Sequence, residues 1–220
     1  MPTISAILFD LDGTLLDTAA DLSAAMNVLL TRYDFPTIPV AELKPHISQG
    51  STGMLQKSFN LGVDDPRFND LRQQFFDIYR TQIKIDTQPF PGIEEFIEQV
   101  VYRGLAWGVV TNKPEWLAKP LLDEFVFAQS TGCVIGGDTL RKAKPNPEPL
   151  WYACGLLNQP VAQCIYVGDA KRDIEAGNRA GMRTVIAKYG YIPHDEDLNT
   201  WEATQSVDSV YELMELVFKE

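Results

Sequence analysis

The chain has 220 residues, enough for one large domain or for a domain carrying a smaller second one. Apolar residues make up 45% and charged residues 22%, as in an ordinary globular protein, and the net charge of −11 argues against non-specific binding to nucleic acid or to an anionic membrane. No apolar run approaches the ~18–20 residues that span a bilayer, no basic residue before Arg32 marks a targeting segment, and Cys133, Cys154 and Cys164, with no Cys-x-x-Cys pair, read as buried free thiols of a reducing cytoplasm.

Residues 4–9, apolar except for Ser5, have the size and composition of a buried parallel strand, which stops at Asp10 with a second carboxylate at Asp12. Residues 15–18 form the hinge that follows. Residues 19–33 carry Ala20, Leu22, Ala25, Met26, Leu29 and Leu30 at helical spacing, with Asp17 or Thr18 as N-cap and Asp21 in the first turn. A second helix is predicted from Val40, interrupted at Pro45, and a polar loop over 46–53 follows it. Residues 54–59 and 67–83 read as further helices, split at Asp64-Asp65-Pro66. The two prolines and the glycine of 88–92 make a linker. Beyond it helices at 93–103, 115–127, 147–157 and 171–180 alternate with strands at 105–110, 131–135, 163–167 and 183–187, and 208–218 is a final amphipathic helix. Gly181 suits a helix C-terminus.

Strands separated by helices imply a parallel sheet with helices on both faces. The expected architecture is α/β: a Rossmann-like parallel sheet core, residues 1–16 and 89–220, with an inserted all-helical cap, residues 17–88.

Two carboxylates at the carboxyl edge of a sheet are costly unless a cation or hydrogen-bond donors offset them, and that edge is where open α/β sheets bind ligands. Four predicted strands end in polar residues there: Asp10 and Asp12, Thr111 and Asn112, Gly137 and Asp138, Gly168 and Asp169. Asp10, Asp12, Asp169 and Asp173 supply hard oxygen ligands suited to Mg²⁺. Thr111 and Asn112 offer a hydroxyl and donors to a phosphoryl oxygen, and Lys144 offers a point charge. Phosphoryl transfer asks mainly for positioning and charge stabilisation, and a carboxylate nucleophile is one known solution.

These residues carry a resemblance. Asp10-x-Asp12-Gly13-Thr14, Thr111-Asn112-Lys113, Lys144-Pro145 and Gly168-Asp169-x-x-x-Asp173 are similar, in order, to the four motifs of the haloacid dehalogenase superfamily. The chain resembles its phosphoglycolate-phosphatase-like branch with a helical cap, and the run from Tyr189-Gly190-Tyr191-Ile192 to Trp201 is similar to the N-acetylmuramic acid 6-phosphate phosphatases. The resemblance implies a Mg²⁺-dependent phosphomonoesterase acting on a small phosphorylated metabolite through an aspartyl-phosphate, with no nucleic-acid or membrane partner. It implies Asp10 as nucleophile and Asp12 as general acid and then base. It implies a metal site of Asp10, Asp12 through its backbone carbonyl, and Asp169, with Asp173 close by or acting through water, and a phosphate site of Thr111, Asn112 and Lys144. Both 2-phosphoglycolate and N-acetylmuramic acid 6-phosphate stay open as substrates, and so does the oligomeric state.

Other readings are weaker. Asp12 argues against a dehalogenase, since dehalogenases of the family lack the second aspartate, while a phosphomutase shares the pair. A phosphonate-cleaving member would need a cap lysine in a context that Lys44, Lys57 and Lys84 do not match. A receiver-like phospho-aspartate module also uses an acidic pocket, a Thr and a Lys-Pro, but has no long insertion. An EF-hand would want Gly and Glu where Leu15 and Asp21 stand. Ala170 replaces a serine common in relatives, at little expected consequence. His46 and His194 lie far apart, which argues against zinc, and His46 reads as a surface residue. Trp107 and Trp151 read as core, and Trp116 as packing or as a residue of the site entrance.

Overall fold

The computed structural model describes residues 4–218. Strand β1 (Ala6–Phe9) is buried on both faces. Ile7 and Phe9 enter one hydrophobic cluster and Ala6 and Leu8 another, the period-two alternation of a strand between two helical layers. Phe9 meets Phe96 and Trp107 edge-on, at 5.7 and 6.5 Å between ring centroids, and burial of such a side chain contributes about 2–3 kcal/mol.

A two-residue strand, β2 (Leu16–Asp17), follows and leads into four helices: α1 (Ala19–Arg32), α2 (Val40–Ile47), α3 (Gly50–Phe59) and α4 (Phe68–Thr81). Strand β3 (Gln88–Pro89) then pairs antiparallel with β2. The predicted hinge and linker are thus bonded to each other, extended by Phe90 N–H donating to the Leu15 carbonyl at 3.2 Å.

The chain continues as α5 (Ile93–Tyr102), β4 (Ala106–Val110), α6 (Glu115–Asp123), β5 (Val134–Ile135), α7 (Glu148–Leu157), β6 (Cys164–Gly168), α8 (Lys171–Ala180), β7 (Arg183–Ala187), β8 (Gln205–Val207) and α9 (Val210–Phe218). Among the described residues six strands form one sheet in the order β5-β4-β1-β6-β7-β8, every neighbouring pair parallel. Residues of α5, α6 and α9 pack in the cluster on one face, and residues of α7 and α8 in the cluster on the other. The connection leaving β1 leads to β4 on one side, and the connection leaving β6 leads to β7 on the other. The carboxyl ends of these two adjacent strands therefore flank the reversal point, where open α/β sheets bind ligands.

Several local expectations are corrected. Pro45 does not interrupt α2, because Leu43 and Ile47 on either side of it are buried and packing outweighs the one lost backbone bond. The polar loop over 46–53 shrinks to Ser48 and Gln49, with helix on both sides. The helix at 115–127 ends at Asp123 and gives way to a 3₁₀ turn, Val126–Ser130. The strand at 131–135 keeps only Val134 and Ile135, and β8 was not anticipated. Trp107 is core, whereas Trp151 is 47% exposed and donates its indole N–H to the Ala180 carbonyl. The three cysteines are free and buried.

Thr18 occupies the N-cap position of α1 without a side-chain capping bond. Tyr191 serves that end instead, its phenol oxygen accepting from the Thr18 and Ala19 N–H groups at 2.6 and 3.0 Å and donating to Asp17 at 2.7 Å. Asp21 also does more than complement the helix dipole. Its buried carboxylate accepts from the N–H groups of Ile85, Asp86 and Thr87 and from the Thr87 hydroxyl at 2.7 to 3.0 Å, tying α1 to the segment that leads back to β3. Burial opposes ionisation, but the Thr87 hydroxyl and the three N–H groups outweigh it and hold the carboxyl below its ordinary value.

Asp21→Asn should therefore lower stability in urea unfolding at pH 7 by about 2–3 kcal/mol. Because the folded pKa is depressed, this contribution is complete above the unfolded value of about 3.9 and is lost as the pH falls through the folded one. The gap between wild type and variant should narrow below about pH 4; an equal gap at pH 7 and pH 3 would contradict the assignment.

Candidate active site

Asp10 lies one residue beyond β1, and Asp169 and Asp173 lie just beyond β6, on either side of the reversal point. All three are buried, and each offers a carboxylate oxygen within 4.8 Å of the others. Asp10 N–H still donates to the Val167 carbonyl at 2.9 Å, as though the sheet ran one residue further. Asp10 Oδ1 accepts from the Leu11 N–H at 2.7 Å and lies 3.0 Å from Lys144 Nζ.

Asp169 accepts from the Thr14 hydroxyl at 3.1 Å and from the Tyr191 N–H at 2.8 Å, and the Ser48 hydroxyl lies 3.2 Å from its Oδ2. Asp173 reaches back from the first turn of α8 to the Ala170 N–H at 3.0 Å, half of a capping box. Alanine at 170 can supply no reciprocal oxygen. Glycines make room for these carboxylates: a Cβ on Gly13, whose φ is +87°, would lie 2.3 Å from Asp169 Oδ2, and one on Gly168 would lie 2.4 Å from the Asp173 Cβ.

Lys144 joins the cluster from the loop before α7. Its side chain is 0% exposed, and its ammonium lies 3.0 Å from Asp10, 2.8 Å from Asp173, 2.9 Å from the Val110 carbonyl and 2.7 Å from the Tyr166 hydroxyl. Asn112 clamps that loop, its amide nitrogen donating to the Lys144 carbonyl and its amide oxygen accepting from the Lys144 N–H, at 2.9 and 3.1 Å. Thr111 is buried, and its hydroxyl oxygen accepts from the Lys113 N–H at 3.2 Å.

Asp12 stands apart from the three clustered carboxylates. Its side chain pairs with Lys113 Nζ at 2.9 Å and accepts from the Thr18 hydroxyl at 2.7 Å. Lys113 also lies 3.2 Å from the Tyr79 hydroxyl of α4. Asp138 does not join the cluster either; it accepts the Glu115 N–H at 2.6 Å at the start of α6.

The charges explain the titration pattern. Burial pushes Asp169 upward, and the charges of Asp10 and Asp173 add to it, bringing the carboxyl to about 7. Burial and Asp10 also raise Asp173. Burial would raise Asp10 too, but Lys144 and Arg172, with the Lys144 and Leu11 bonds, hold it below its ordinary value. Burial lowers Lys113, yet Asp12 and Tyr79 outweigh it and bring the ammonium to about 12. Three buried, mutually repelling oxygen donors facing two cations fit a hard divalent ion.

A cavity of about 390 Å³ opens over this cluster. Asp10, Asp12, Thr111, Asn112 and Lys113 line it from the sheet side. Ile47, the residues from Gln49 to Thr52, Arg72, Phe75, Phe76 and Tyr79 line it from the helical block, and Arg172 from α8. Trp116 is not among these residues; it packs edge-on against Phe76 at 5.9 Å. The structure thus brings Lys144 into contact with Asp10 and Asp173, gathers Asp169 with those two carboxylates, and sets Asp12, Thr111 and Asn112 around them. Lys113, Arg172, Ser48, Thr14 and Tyr191 had no catalytic, phosphate-binding or metal role in the sequence reading, although Thr14, Lys113 and Tyr191 stand in the runs that carry the resemblance. Lys113 and Arg172 stand inside or beside recognisable motifs, and their charge was the available signal. Ser48 was marked only as part of the polar loop over 46–53.

Comparison with known proteins places the chain in a family. The family model described as haloacid dehalogenase-like hydrolase matches residues 7–187. The phosphoglycolate phosphatase of Xanthomonas campestris pv. campestris is 40% identical over 210 residues, covering 96% of this chain and 95% of the relative. The N-acetylmuramic acid 6-phosphate phosphatase of Pseudomonas aeruginosa is 35% identical over 214 residues, covering 97% and 95%. The crystal structure of a predicted phosphoglycolate phosphatase from Haemophilus somnus superposes with a TM-score of 0.86 at 26% identity, covering 98% and 99%. The chain belongs to the haloacid dehalogenase-like hydrolases.

Proposed function

We propose that this hydrolase is a Mg²⁺-dependent phosphomonoesterase that transfers the phosphoryl group of a small phosphorylated metabolite to Asp10 and then to water. The observation that carries the reading is the buried set of Asp10, Asp169 and Asp173 around Lys144 at the reversal point of the sheet. The division into a core of residues 1–16 and 89–220 and a cap of 17–88 belongs to the same proposal, with residues 1–3 and 219–220 outside the described range. So does a cytoplasmic location, in keeping with three free cysteines; among the described residues no helix is long and apolar enough to cross a membrane.

Asp10 Oδ1 is engaged by Leu11 and Lys144, which assigns attack on phosphorus to Oδ2. Asp12, oriented by Lys113 and Thr18, gives a proton to the departing alcohol and later takes one from the attacking water. The Thr111 oxygen accepts from the Lys113 N–H, so its own proton is free for a phosphoryl oxygen. Asn112 keeps its second amide proton for the same purpose. Lys144 acts on the phosphoryl group by holding Asp10, and direct contact would require it to exchange one of its four acceptors. Asp10, Asp169, Asp173 and the Asp12 carbonyl would hold Mg²⁺, which supplies charge neutralisation at the phosphoryl oxygens.

Two relatives in hand are named for different substrates, both phosphorylated and both carrying a carboxylate. The cavity of about 390 Å³ and its wall of Phe75, Phe76 and Tyr79 favour the sugar derivative, since a two-carbon acid would leave most of that space unfilled. The four-helix insertion speaks against a receiver module.

With Mg²⁺ and p-nitrophenyl phosphate, Asp10→Asn should lose turnover by about 10⁴-fold or more, as removal of an acting nucleophile does; wild-type turnover in that variant would contradict the role. In kcat/KM, N-acetylmuramic acid 6-phosphate should exceed 2-phosphoglycolate by about tenfold or more. The reverse order would assign the enzyme to the smaller acid.

A further inference from the structure

A phosphoryl group arriving at Asp10 is an anion, and most positive charge around it is already committed. Lys144 is enclosed by four acceptors with no exposed side-chain surface. Lys113 is paired with Asp12. Arg72 lines the cavity from an exposed position on α4. Arg172 is different.

Arg172 stands in the first turn of α8, between Asp169 and Asp173, and its side chain lines the cavity together with Asp10. Its Nη1 donates to the main-chain carbonyl of Ser48, at the junction of α2 and α3. Its Nε is buried and has no hydrogen-bond partner. A guanidinium is always charged, and an N–H left without an acceptor in a buried site marks a place where an acceptor is missing. Its charge also acts on Asp10, Asp169 and Asp173. Three carboxylates face two cations here, so a divalent ion would leave the cluster one unit positive, and Arg172 is the part of that charge that opens on the cavity.

We propose that Arg172 is a further catalytic residue, whose guanidinium donates to a non-bridging oxygen of the transferring phosphoryl group while the Ser48 carbonyl of the helical block holds it in place. This rests on phosphoryl transfer to Asp10. Arg172 forms no covalent bond and moves no proton: an Asp10 oxygen bonds to phosphorus as the ester oxygen leaves, and the guanidinium stabilises charge on the oxygens that remain. Ser48 gives the arrangement a second consequence. Its hydroxyl lies 3.2 Å from Asp169 and 3.0 Å from the Tyr191 carbonyl while its own carbonyl holds Arg172. Docking of the helical block and placement of the phosphoryl-facing charge are then one event.

The test compares wild type, Arg172→Gln and Arg172→Lys, reading kcat/KM for p-nitrophenyl phosphate, the inhibition constant of orthovanadate, and Mg²⁺ affinity by calorimetry. Arg172→Gln should lose about 10²-fold or more in kcat/KM and weaken vanadate in parallel, while Mg²⁺ binding holds or tightens because a like charge has been removed. Added methylguanidinium should restore part of the activity, and Arg172→Lys should lie between the two. Undiminished kcat/KM in Arg172→Gln would overturn the proposal, and so would a loss shared equally by Mg²⁺ binding and unrelieved by methylguanidinium. If Arg172→Gln does not fold, Arg172→Lys decides: wild-type kcat/KM and vanadate affinity in that variant would overturn the proposal. A wild type inactive on every phosphomonoester would overturn the underlying reading and this one with it; an active wild type keeps the two apart.

Discussion

The site depends on one ammonium group. Lys144 Nζ sits between Asp10 and Asp173 with no exposed side-chain surface, and without it the carboxylates at this sheet edge would face one another in a buried crevice. Removing one partner from such a set typically costs about 3–5 kcal/mol, because the remaining charge is left uncompensated. The four sequence motifs meet in this contact. Asn112 of the second motif clamps the loop carrying Lys144 of the third, and Lys144 then binds Asp10 of the first and Asp173 of the fourth. Elements spread over most of the chain are thus parts of one hydrogen-bonded and ionic network.

The helical block is joined to that network at more than its entry point. Tyr191, after β7, caps α1 through its phenol and binds Asp169 through its N–H, so one residue fixes both the block and a member of the acidic cluster. Tyr79 of α4 contacts Lys113, which orients Asp12. Ser48, between α2 and α3, reaches Asp169 and Arg172. The paired strands β2 and β3 bring the two connecting segments together, and the Asp21 bonds brace them. In the proposed reaction, movement of the block would change the order of the catalytic groups as well as access to them.

Much of this was legible in the sequence because it is local. Residues 6–9 are apolar throughout and are followed by a carboxylate at Asp10, so both the buried strand and its acidic edge could be read directly. Gly181 ends α8 with a φ of +82°, as its place after the helix suggested. Asp10 and Asp169 stood out by strand-end position, and they lie together because β1 and β6 are neighbours. Asp138 stood out by the same rule and lies apart, bonded to the start of α6, while Asp173 entered through its spacing from Asp169. What was missed is non-local. No sequence rule joins Tyr191 to α1 or Ser48 to Asp169, since only packing of the block on the sheet creates those contacts. Pro45 and the residues from Gly50 to Gly53 were misread because propensity was set against tertiary burial, and burial prevailed. Lys113 and Arg172 were visible as charges, but their partners were not.

The most direct test of the central claim, that Asp10 accepts the phosphoryl group, uses Asp12→Asn with p-nitrophenyl phosphate and Mg²⁺. The nitrophenolate leaving group needs no proton, whereas breakdown of the phosphorylated enzyme needs the Asp12 base. Rapid-quench assay and mass spectrometry should show a burst of about one nitrophenolate per enzyme, with a hydroxylamine-sensitive phosphoryl group on the peptide that carries Asp10. Steady nitrophenolate release from the first turnover with Asp10 unlabelled, or a phosphoryl group on any other residue, would contradict the account.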